Sequence, residues 1–263
     1  MTYALSVDGL ARIHKMVDSS TLLAFDIDGT LAPIVSQPWA ARISPEVRTL
    51  LMKLNASQLV AIVTGRGVAD ARKMLGFEPR YVIGNHGAEG IPRQASSTAA
   101  FARICEGWAS TIAASGPAWP PAPGVLLENK QYSLAIHYRH VANADGTRAD
   151  IERLVLRLSP LPTIVHGKFV INLLPPGAPH KGDALRALLA DSGAPYALYV
   201  GDDVTDEDVY ALGLPNVLSI CVAPAEFSKA DLHLVAQDEI LTLLEEIDAM
   251  ISGTFLLLKP VTP

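Results

Sequence analysis

One short run of the chain sets the layout of the rest: Leu22-Leu23-Ala24-Phe25-Asp26-Ile27-Asp28-Gly29-Thr30-Leu31. Its first four residues are apolar, and a short apolar run within an α/β pattern predicts a buried strand of a parallel sheet. Ligands of such sheets bind outside the carboxyl ends of the strands, so Asp26 is predicted at the strand exit and Asp28 in the loop beyond. Carboxylates this close repel each other, and a hard cation such as Mg²⁺ would relieve the repulsion. An ordinary Asp-Gly turn is the alternative.

Two further residues are predicted to bind an anion. Thr64 follows a second apolar run, residues 58–63, and its hydroxyl can bond a phosphate oxygen. The alternative is a cap for the helix that follows. Lys181 opens a predicted helix, although cations are disfavoured at helix N-termini. A phosphate between the ammonium group and the helix would resolve that conflict, while a solvated surface lysine is the simpler alternative.

A third apolar run ends in a cluster of acidic side chains. Asp202 and Asp203 follow residues 197–200, and five of the seven residues 202–208 are acidic. These side chains would repel one another unless some of them hold a cation. Asp202 is the predicted metal ligand, and Asp203 and Asp206 are predicted to orient it or its waters. The acids that follow them complement the dipole of a predicted helix.

Composition narrows the class of protein. The 263 residues are 49% hydrophobic and 18% charged, which is typical of a globular protein with an ample core. No apolar run approaches the roughly 20 residues of a membrane-spanning helix, and no basic segment precedes an apolar N-terminal stretch, so neither a membrane span nor a secretory signal is expected. The two cysteines form no CxxC pair and are expected to be buried thiols of a cytoplasmic protein. The net charge of −6 and the lack of a basic cluster argue against nucleic acid. Nothing in the sequence fixes the oligomeric state.

The order of predicted elements divides the chain. Strands and helices alternate up to residue 83, which predicts a parallel sheet, and the same pattern resumes after Pro175-Pro176-Gly177. Between them lies a helix, two strands, a helix and two strands, which predicts an α+β module with an antiparallel sheet. We therefore expect core segments 1–90 and 176–263 around an inserted domain, 91–175. The less regular predictions are helices at 97–114, 148–158 and 205–212, strands at 125–128, 133–138, 163–165 and 169–174, an edge strand at 231–235, and no element for 254–263.

Four motifs resemble those of the haloacid-dehalogenase-like phosphatases. In order they are Asp26-x-Asp28-Gly29-Thr30, Thr64-Gly65-Arg66, Lys181 at a helix start, and Gly201-Asp202-Asp203-x-Thr205-Asp206. Within that superfamily, two further stretches are similar to trehalose-6-phosphate phosphatases: Gly84-Asn85-His86-Gly87-Ala88-Glu89, and Leu127-Glu128-Asn129-Lys130 with His137-Tyr138-Arg139. The resemblance covers about residues 20–235. It implies a doubly wound, mostly parallel, Rossmann-like α/β core with an inserted α+β cap domain.

The resemblance also implies a reaction, the final step of trehalose biosynthesis, in which trehalose 6-phosphate is hydrolysed with Mg²⁺ as cofactor. Asp26 is the candidate nucleophile, which would form an aspartyl-phosphate. Asp28 is the candidate acid and base, which would protonate the departing sugar oxygen and then deprotonate water. The implied Mg²⁺ ligands are Asp26, the backbone carbonyl of Asp28 and Asp202. Thr64 and Lys181 would bind the phosphate.

The inserted module carries candidate sugar contacts. Alternation along its second strand places His137 and Arg139 on one face. The resemblance implies that this face covers the active site and holds the sugar hydroxyls, while a solvent-exposed sheet face is the alternative. The other candidate sugar contacts are Glu128 and Lys130 in the module and Asn85 and His86 in the core.

The chain departs from the family pattern at one place. Where the family usually has Glu-x-Arg-Pro before the motif lysine, this chain has Asn172-Leu173-Leu174-Pro175. A neutral amide and an apolar side chain thus replace an acid and a base, so other substrates stay open, such as sucrose 6-phosphate or a glycosyl-phosphoglycerate. A sugar-phosphate-binding module without catalysis is a further alternative, although a binding module needs no nucleophile.

Overall fold

A computed structural model describes residues 1–35, 37–92, 95–116, 119–224 and 227–254. In these ranges the strands are β1 (Thr2–Tyr3), β2 (Leu22–Phe25), β3 (Leu59–Val63), β4 (Tyr81–Ile83), β5 (Leu126–Asn129), β6 (Leu134–His137), β7 (Thr163–Gly167), β8 (Val170–Leu174), β9 (Ala197–Gly201), β10 (Val217–Val222) and β11 (Leu232–Leu234). The helices are α1 (Val7–Met16), α2 (Pro45–Ser57), α3 (Val68–Leu75), α4 (Ala95–Ala113), α5 (Ala144–Val155), α6 (Lys181–Ser192), α7 (Glu207–Tyr210) and α8 (Ile240–Ser252).

Seven of the described strands form a parallel sheet in the order β1-β11-β10-β9-β2-β3-β4. From β2 the chain moves outward through β3 and β4, and it later returns to β9 and moves outward on the other side. The strand order therefore reverses between β2 and β9, and ligands of doubly wound sheets bind at such a reversal, beyond the carboxyl ends of the strands. The predicted doubly wound α/β core is confirmed.

The strands are buried on both faces because helices cover both. Alternate residues of β2 pack to opposite sides, as the two-residue period of a strand requires. Leu23 and Phe25 belong to the apolar cluster that contains α2 and α8, whereas Leu22 and Ala24 pack in the cluster that contains α6. A near-continuous apolar run in the sequence thus follows from burial on two faces.

A second sheet lies between β4 and β9 in the chain. In the part of the chain that the structure describes it has four antiparallel strands in the order β5-β6-β8-β7. Its apolar cluster joins Ile136 and Leu173 of the sheet to Trp108 of α4 and Ile151 of α5. This arrangement matches the predicted α+β cap. The boundaries at residues 91 and 175 stay a proposal.

Several predicted boundaries are wrong for local reasons. Helix α5 begins four residues before the predicted start, because the Asn143 side chain accepts from the Gly146 amide at 3.0 Å and caps it there. The predicted helix 205–212 divides into a short 3₁₀ turn, Val204–Asp206, and α7. The strand near residues 231–235 is not at an edge, since β1 pairs outside it. Residues 255–263, for which the sequence predicts no element, lie outside the described ranges.

Over the described residues, no helix combines the length and the apolarity that crossing a membrane requires. Cys105 and Cys221 are both buried free thiols, as predicted.

Candidate active site

The carboxyl ends of the central strands bring together residues that are far apart in sequence. Asp26 follows β2, Thr64 follows β3 and Asp202 follows β9. A cavity of about 590 Å³ lies between these strand ends and the four-stranded sheet. The predicted site residues that line it are Asp26, Asp28, Thr64, His86, Glu128, Lys130, His137, Arg139, Lys181, Asp202 and Asp203.

The Asp26 carboxylate is buried and held at both oxygens. Its Oδ1 accepts from the Ile27 amide at 2.6 Å, and its Oδ2 accepts from Lys181 Nζ at 2.6 Å. Burial raises the pKa of Asp26 to about 7, against the opposing effect of the Lys181 ammonium group. The carboxylate therefore depends on Lys181 for a neutralising charge in a site from which water is largely excluded.

Lys181 is 1% exposed, which rules out a solvated surface lysine. Its Nζ donates to Asp26 and, at 2.8 Å, to Asp206 Oδ1. Burial opposes the charged form, but the two carboxylates outweigh it and raise the pKa of Lys181 above its ordinary value. The N-terminus of α6 is not an open anion site as predicted, because the His180 ring accepts from the first amides of the helix, at Gly182 and Asp183. Lys181 can thus act on a phosphate only through its ammonium group.

Asp206 holds the loop after β9 in place. Its Oδ1 accepts from Lys181 and from the Tyr199 hydroxyl, and its Oδ2 accepts from the backbone amides of Asp202 at 3.1 Å and Asp203 at 2.9 Å. Gly201 permits this approach, because a Cβ there would lie 2.3 Å from Asp206 Cγ. Asp206 is fully buried, and its four donors leave little capacity for a metal, so its place fits the predicted role of orienting Asp202.

The acidic cluster fits a divalent cation. Among the described residues, Asp26, Asp202 and Asp206 each offer a carboxylate oxygen, all within 4.8 Å of one another. Because Asp206 is engaged elsewhere, Asp26 and Asp202 remain as ligands. Thr30 Oγ1 donates to Asp202 Oδ1 at 3.1 Å, and burial with repulsion from Asp26 raises the pKa of Asp202 to about 8. A buried and a half-buried carboxylate that repel each other are a donor set that Mg²⁺ prefers.

Gly29 makes the close approach of Asp202 possible. Its φ of +80° lies in the region that glycine favours, and a Cβ would lie 1.9 Å from Asp202 Oδ2. Gly29 therefore allows both the turn of the first motif and the close approach of the Asp202 carboxylate.

Arg66 holds Asp28, and sequence reasoning gave Arg66 no role. Its Nε and Nη2 each donate to one oxygen of Asp28 at 2.7 Å, and its Nη1 donates to Asp70 at 2.6 Å. The guanidinium is buried; burial disfavours its charge, but the two carboxylates outweigh burial and raise the pKa of Arg66. The sequence signal that could have pointed to Arg66 was its place as the third residue of the motif Thr64-Gly65-Arg66.

The two candidate sugar contacts that follow β4, Asn85 and His86, have different surroundings. His86 lines the cavity and is buried, and its Nδ1 has no hydrogen-bond partner among the described residues. Burial lowers the pKa of His86 well below its ordinary value, with further repulsion from Lys130, so the ring is neutral. Asn85 instead bonds Ser133, Glu89 and the Lys130 carbonyl, and it does not line the cavity that the described residues form. Its predicted sugar contact is not supported by this geometry.

The four-stranded sheet sends its polar residues to the cavity. His137 Nε2 and Glu128 Oε2 lie 2.9 Å apart, and Lys130 Nζ donates to the Gly65 carbonyl at 3.1 Å. Arg139 lies beyond β6, where its Nη2 donates to the Lys168 carbonyl at 3.1 Å. These four residues all line the cavity, although the Glu128 side chain is still 49% exposed to solvent.

The departure from the family pattern has unequal consequences for the site. Asn172 lies in the centre of the four-stranded sheet and lines the cavity. Leu174 is buried at the end of β8 and does not line the cavity formed by the described residues. The exchange of an acid for an amide therefore bears directly on ligand contacts, whereas the apolar residue at position 174 belongs to the packing.

Comparison with known proteins agrees with this geometry. The family model described as trehalose-phosphatase matches residues 24–233, which is most of the chain. The chain belongs to the trehalose-phosphatase family. The match begins in β2, just before Asp26, and ends in β11; it leaves out β1 but includes the four-stranded sheet and every residue placed in the cavity above.

Two similar proteins are described as trehalose-phosphate phosphatases. The chain is 32% identical to the trehalose-phosphate phosphatase of Mycobacterium tuberculosis over 235 residues, which is 83% of this chain and 57% of the relative. It is 34% identical to that of Mycobacterium avium over 214 residues, 77% of this chain and 52% of the relative. The chain thus spans about half the length of these relatives.

Solved structures share the fold. A crystal structure of a trehalose-6-phosphate phosphatase related protein has a TM-score of 0.70 at 25% identity and covers 88% of this chain and 98% of its own. The C-terminal domain of the Candida albicans trehalose-6-phosphate phosphatase has a TM-score of 0.70 at 22% identity, with 95% and 99% covered. The second likeness, at its low identity, shows the fold alone.

Proposed function

We propose that this chain hydrolyses trehalose 6-phosphate to trehalose and inorganic phosphate, with Mg²⁺ as cofactor and Asp26 as nucleophile. One observation carries the proposal: a buried Asp26 carboxylate, ion-paired with Lys181, faces a cavity lined on its other side by sugar-type hydrogen-bonding groups. Membership of the trehalose-phosphatase family supports the choice of substrate.

In the proposed first step, a carboxylate oxygen of Asp26 attacks phosphorus and the ester P–O bond breaks. The proton for the departing sugar oxygen comes from Asp28, which has to give up one of its two hydrogen bonds from Arg66 to carry that proton, and an aspartyl-phosphate remains on Asp26. In the second step Asp28 accepts a proton from water, which attacks phosphorus, releases phosphate and restores the Asp26 carboxylate. Thr64 Oγ1 and Lys181 Nζ would bind the phosphoryl oxygens throughout.

Asp26, the backbone carbonyl of Asp28 and Asp202 would hold the Mg²⁺ ion. When bound, it would supply positive charge that offsets the charge on the phosphoryl group. The chain itself fixes the position of Asp202 through Thr30 and through Asp206, which binds the amides of the same loop.

The four-stranded sheet would supply the sugar contacts. Glu128 can accept from sugar hydroxyls, and Lys130, His137 and Arg139 can donate to them. A cavity of about 590 Å³ falls within the range of small-molecule sites, roughly 300–1,000 Å³. A monosaccharide phosphate would leave some of these polar groups unpaired, which penalises its binding.

Phosphate release from a panel of substrates tests the proposal. The panel is trehalose 6-phosphate, sucrose 6-phosphate, glucosyl-phosphoglycerate, glucose 6-phosphate and p-nitrophenyl phosphate, each with Mg²⁺. We expect the highest kcat/KM for trehalose 6-phosphate and a loss of more than about 10²-fold in Asp26→Asn. Asp248→Asn is the matched control, since Asp248 pairs with Lys53, whose side chain is 61% exposed, and does not line the cavity that the described residues form. A preference for another sugar phosphate would reject the substrate, and binding without any phosphate release would indicate a non-catalytic module.

A further inference from the structure

The outer part of the cavity carries several large apolar side chains, which phosphate chemistry does not require. Four large apolar side chains that line the cavity are exposed: Ile34 (52%), Trp39 (64%), Leu126 (53%) and Phe169 (40%). We refer to these four residues as the apolar rim. Exposed apolar side chains gathered at one cavity mark a binding surface, whereas single ones scattered over a protein need no explanation.

The rim has two sides. Ile34 and Trp39 come from the loop after the first motif, where Trp39 lies in one 3₁₀ turn, Pro38–Ala40. Leu126 begins β5, and Phe169 occupies the turn between β7 and β8. Both sides therefore stand at the mouth of the cavity, one on the large-sheet side and one on the small-sheet side.

Phe169 is held in its position at the mouth. Its φ of +62° is a left-handed conformation that a bulky side chain rarely adopts. The guanidinium of Arg139 lies 5.7 Å from the ring centroid, and Tyr138 meets the ring edge-on at 6.0 Å. A ring fixed in this way can receive a ligand with little further ordering.

The residues at the floor and at the rim of the cavity indicate which kind of ligand would fill it. Lys181 and Thr64 are buried and mark the proposed phosphate end at the floor, whereas His137 and Glu128 line the same cavity with 25% and 49% of their side chains exposed. A ligand that reaches from the floor to the rim needs an anionic end, hydroxyls along its length, and an apolar face at the far end. A pyranose ring has such a face in its C–H groups, with hydroxyls at its edge.

We propose that Trp39 and Phe169, one from each side of the mouth, form a two-sided apolar platform that contacts the C–H groups of the second, unphosphorylated pyranose ring of a disaccharide phosphate. The proposal rests on the phosphatase function proposed above and names two specificity-determining residues for it. Burial of the indole and phenyl faces against the ring favours a disaccharide over a monosaccharide, because a single ring held by its phosphate at the floor does not reach the rim.

The test compares Trp39→Ala and Phe169→Ala with the wild-type chain on three substrates. We expect kcat/KM for trehalose 6-phosphate to fall about tenfold, as for the loss of one well-packed apolar face. The values for glucose 6-phosphate and p-nitrophenyl phosphate should stay within about twofold, because those ligands do not reach the platform. Trp39→Phe should keep most of the activity, and Phe227→Ala is the control, since Phe227 is 89% exposed and lies away from the cavity.

A second readout does not need turnover of trehalose 6-phosphate. Trehalose should inhibit hydrolysis of p-nitrophenyl phosphate more strongly than glucose does, and Trp39→Ala should remove the difference. Equal losses on all three substrates, or no loss on any, would overturn the platform. A preference for another disaccharide phosphate that Trp39→Ala abolishes would reject trehalose 6-phosphate but support the platform. A preference for trehalose 6-phosphate that survives both substitutions would support the proposed substrate and overturn the platform.

Discussion

At the scale of the single residue, Lys181 lies between two buried carboxylates, Asp26 and Asp206. A buried ion pair is weak evidence for stability, because desolvation offsets the attraction between the charges. Removal of one partner is a different matter, since the other charge then stays buried without compensation. Lys181 therefore couples the stability of the core to the charge on the proposed nucleophile.

Lys181→Met should lower the free energy of unfolding by about 3–5 kcal/mol and abolish phosphate release. Denaturant unfolding measures the first effect. The matched control is Lys53→Met, whose exposed pair with Asp248 should contribute no more than about 1 kcal/mol. Adding Asp206→Asn to Lys181→Met should restore part of the stability but no activity. Wild-type stability in Lys181→Met would contradict this account of the ion pair.

Arg66 acts on Asp28 through two parallel hydrogen bonds, a geometry that fixes the carboxylate in direction as well as in place. Arg66→Ala should lower kcat/KM for trehalose 6-phosphate by about 10²-fold, as for loss of a general acid. The fall for p-nitrophenyl phosphate should be smaller, because nitrophenolate departs without a proton. Steady-state kinetics on both substrates measure the difference.

Arg72→Ala is the control for Arg66→Ala. Arg72 lies on α3 in an exposed pair with Glu78, so its removal takes away a positive charge from the same region without touching Asp28. If Arg66→Ala slows both substrates by the same factor, Arg66 does not act by positioning the acid.

At the scale of the element, the hairpin of β5 and β6 presents polar groups to the cavity from paired strands. Glu128 lies opposite Ala135 in the register, and its carboxylate contacts His137. Burial alone would raise the pKa of Glu128, but His137 and Lys130 outweigh it and lower the pKa, so the side chain is a charged acceptor near neutral pH. The pairing of β5 with β6 thus brings the Glu128 carboxylate next to its hydrogen-bonding partner His137.

Glu128→Ala should weaken transition-state binding of trehalose 6-phosphate by about 1–3 kcal/mol, the usual effect of losing hydrogen bonds to a charged group. Hydrolysis of p-nitrophenyl phosphate, which has no sugar, should be nearly unchanged. The measurement is kcat/KM on both substrates, with Glu152→Ala as control because Glu152 pairs with Arg148 on α5. An equal effect on the two substrates would remove Glu128 from the sugar site.

At the scale of the whole molecule, the acidic pair joins the exits of two central strands. Asp26 follows β2 and Asp202 follows β9, and these strands are neighbours although they lie far apart in the chain. A cation bound to both would link the two halves of the core. Ligands that bind only the folded state stabilise it by mass action, about 2.7 kcal/mol at a hundredfold excess over Kd.

Chelation with EDTA should abolish phosphate release, and Mg²⁺ should restore it and raise the Tm. Ca²⁺ should inhibit, because its larger and looser coordination displaces the nucleophile. Asp202→Asn should lose the Mg²⁺-dependent shift in Tm, which thermal unfolding measures independently of turnover. Full activity after exhaustive chelation, or an undiminished shift in Asp202→Asn, would contradict the proposed metal site.

Most strands of the core, their parallel pairing and the places where polar side chains follow them could be predicted from local patterns, whereas β1 was not predicted and β11 was expected at an edge. Apolar periodicity is a local signal, and the short runs before Asp26, Thr64 and Asp202 carry it clearly. In a parallel sheet the exits of neighbouring strands meet at one edge, so these three residues could be predicted to lie together before any contact was known. The start of α2 is set by local chemistry of the same kind, since Ser44 caps it and Pro45 opens it, although the start of α5 was predicted four residues too late.

Only the tertiary structure decided which side chains touch. Arg66 reaches Asp28 across 38 positions of sequence, and Lys181 reaches Asp26 across 155. The buried ammonium group, the full engagement of Asp206 and the apolar rim depend on how loops from separate elements pack and which rotamers that packing allows. A local pattern assigns a residue to an element and a face, but the distance between two faces is set by the packing of the whole chain.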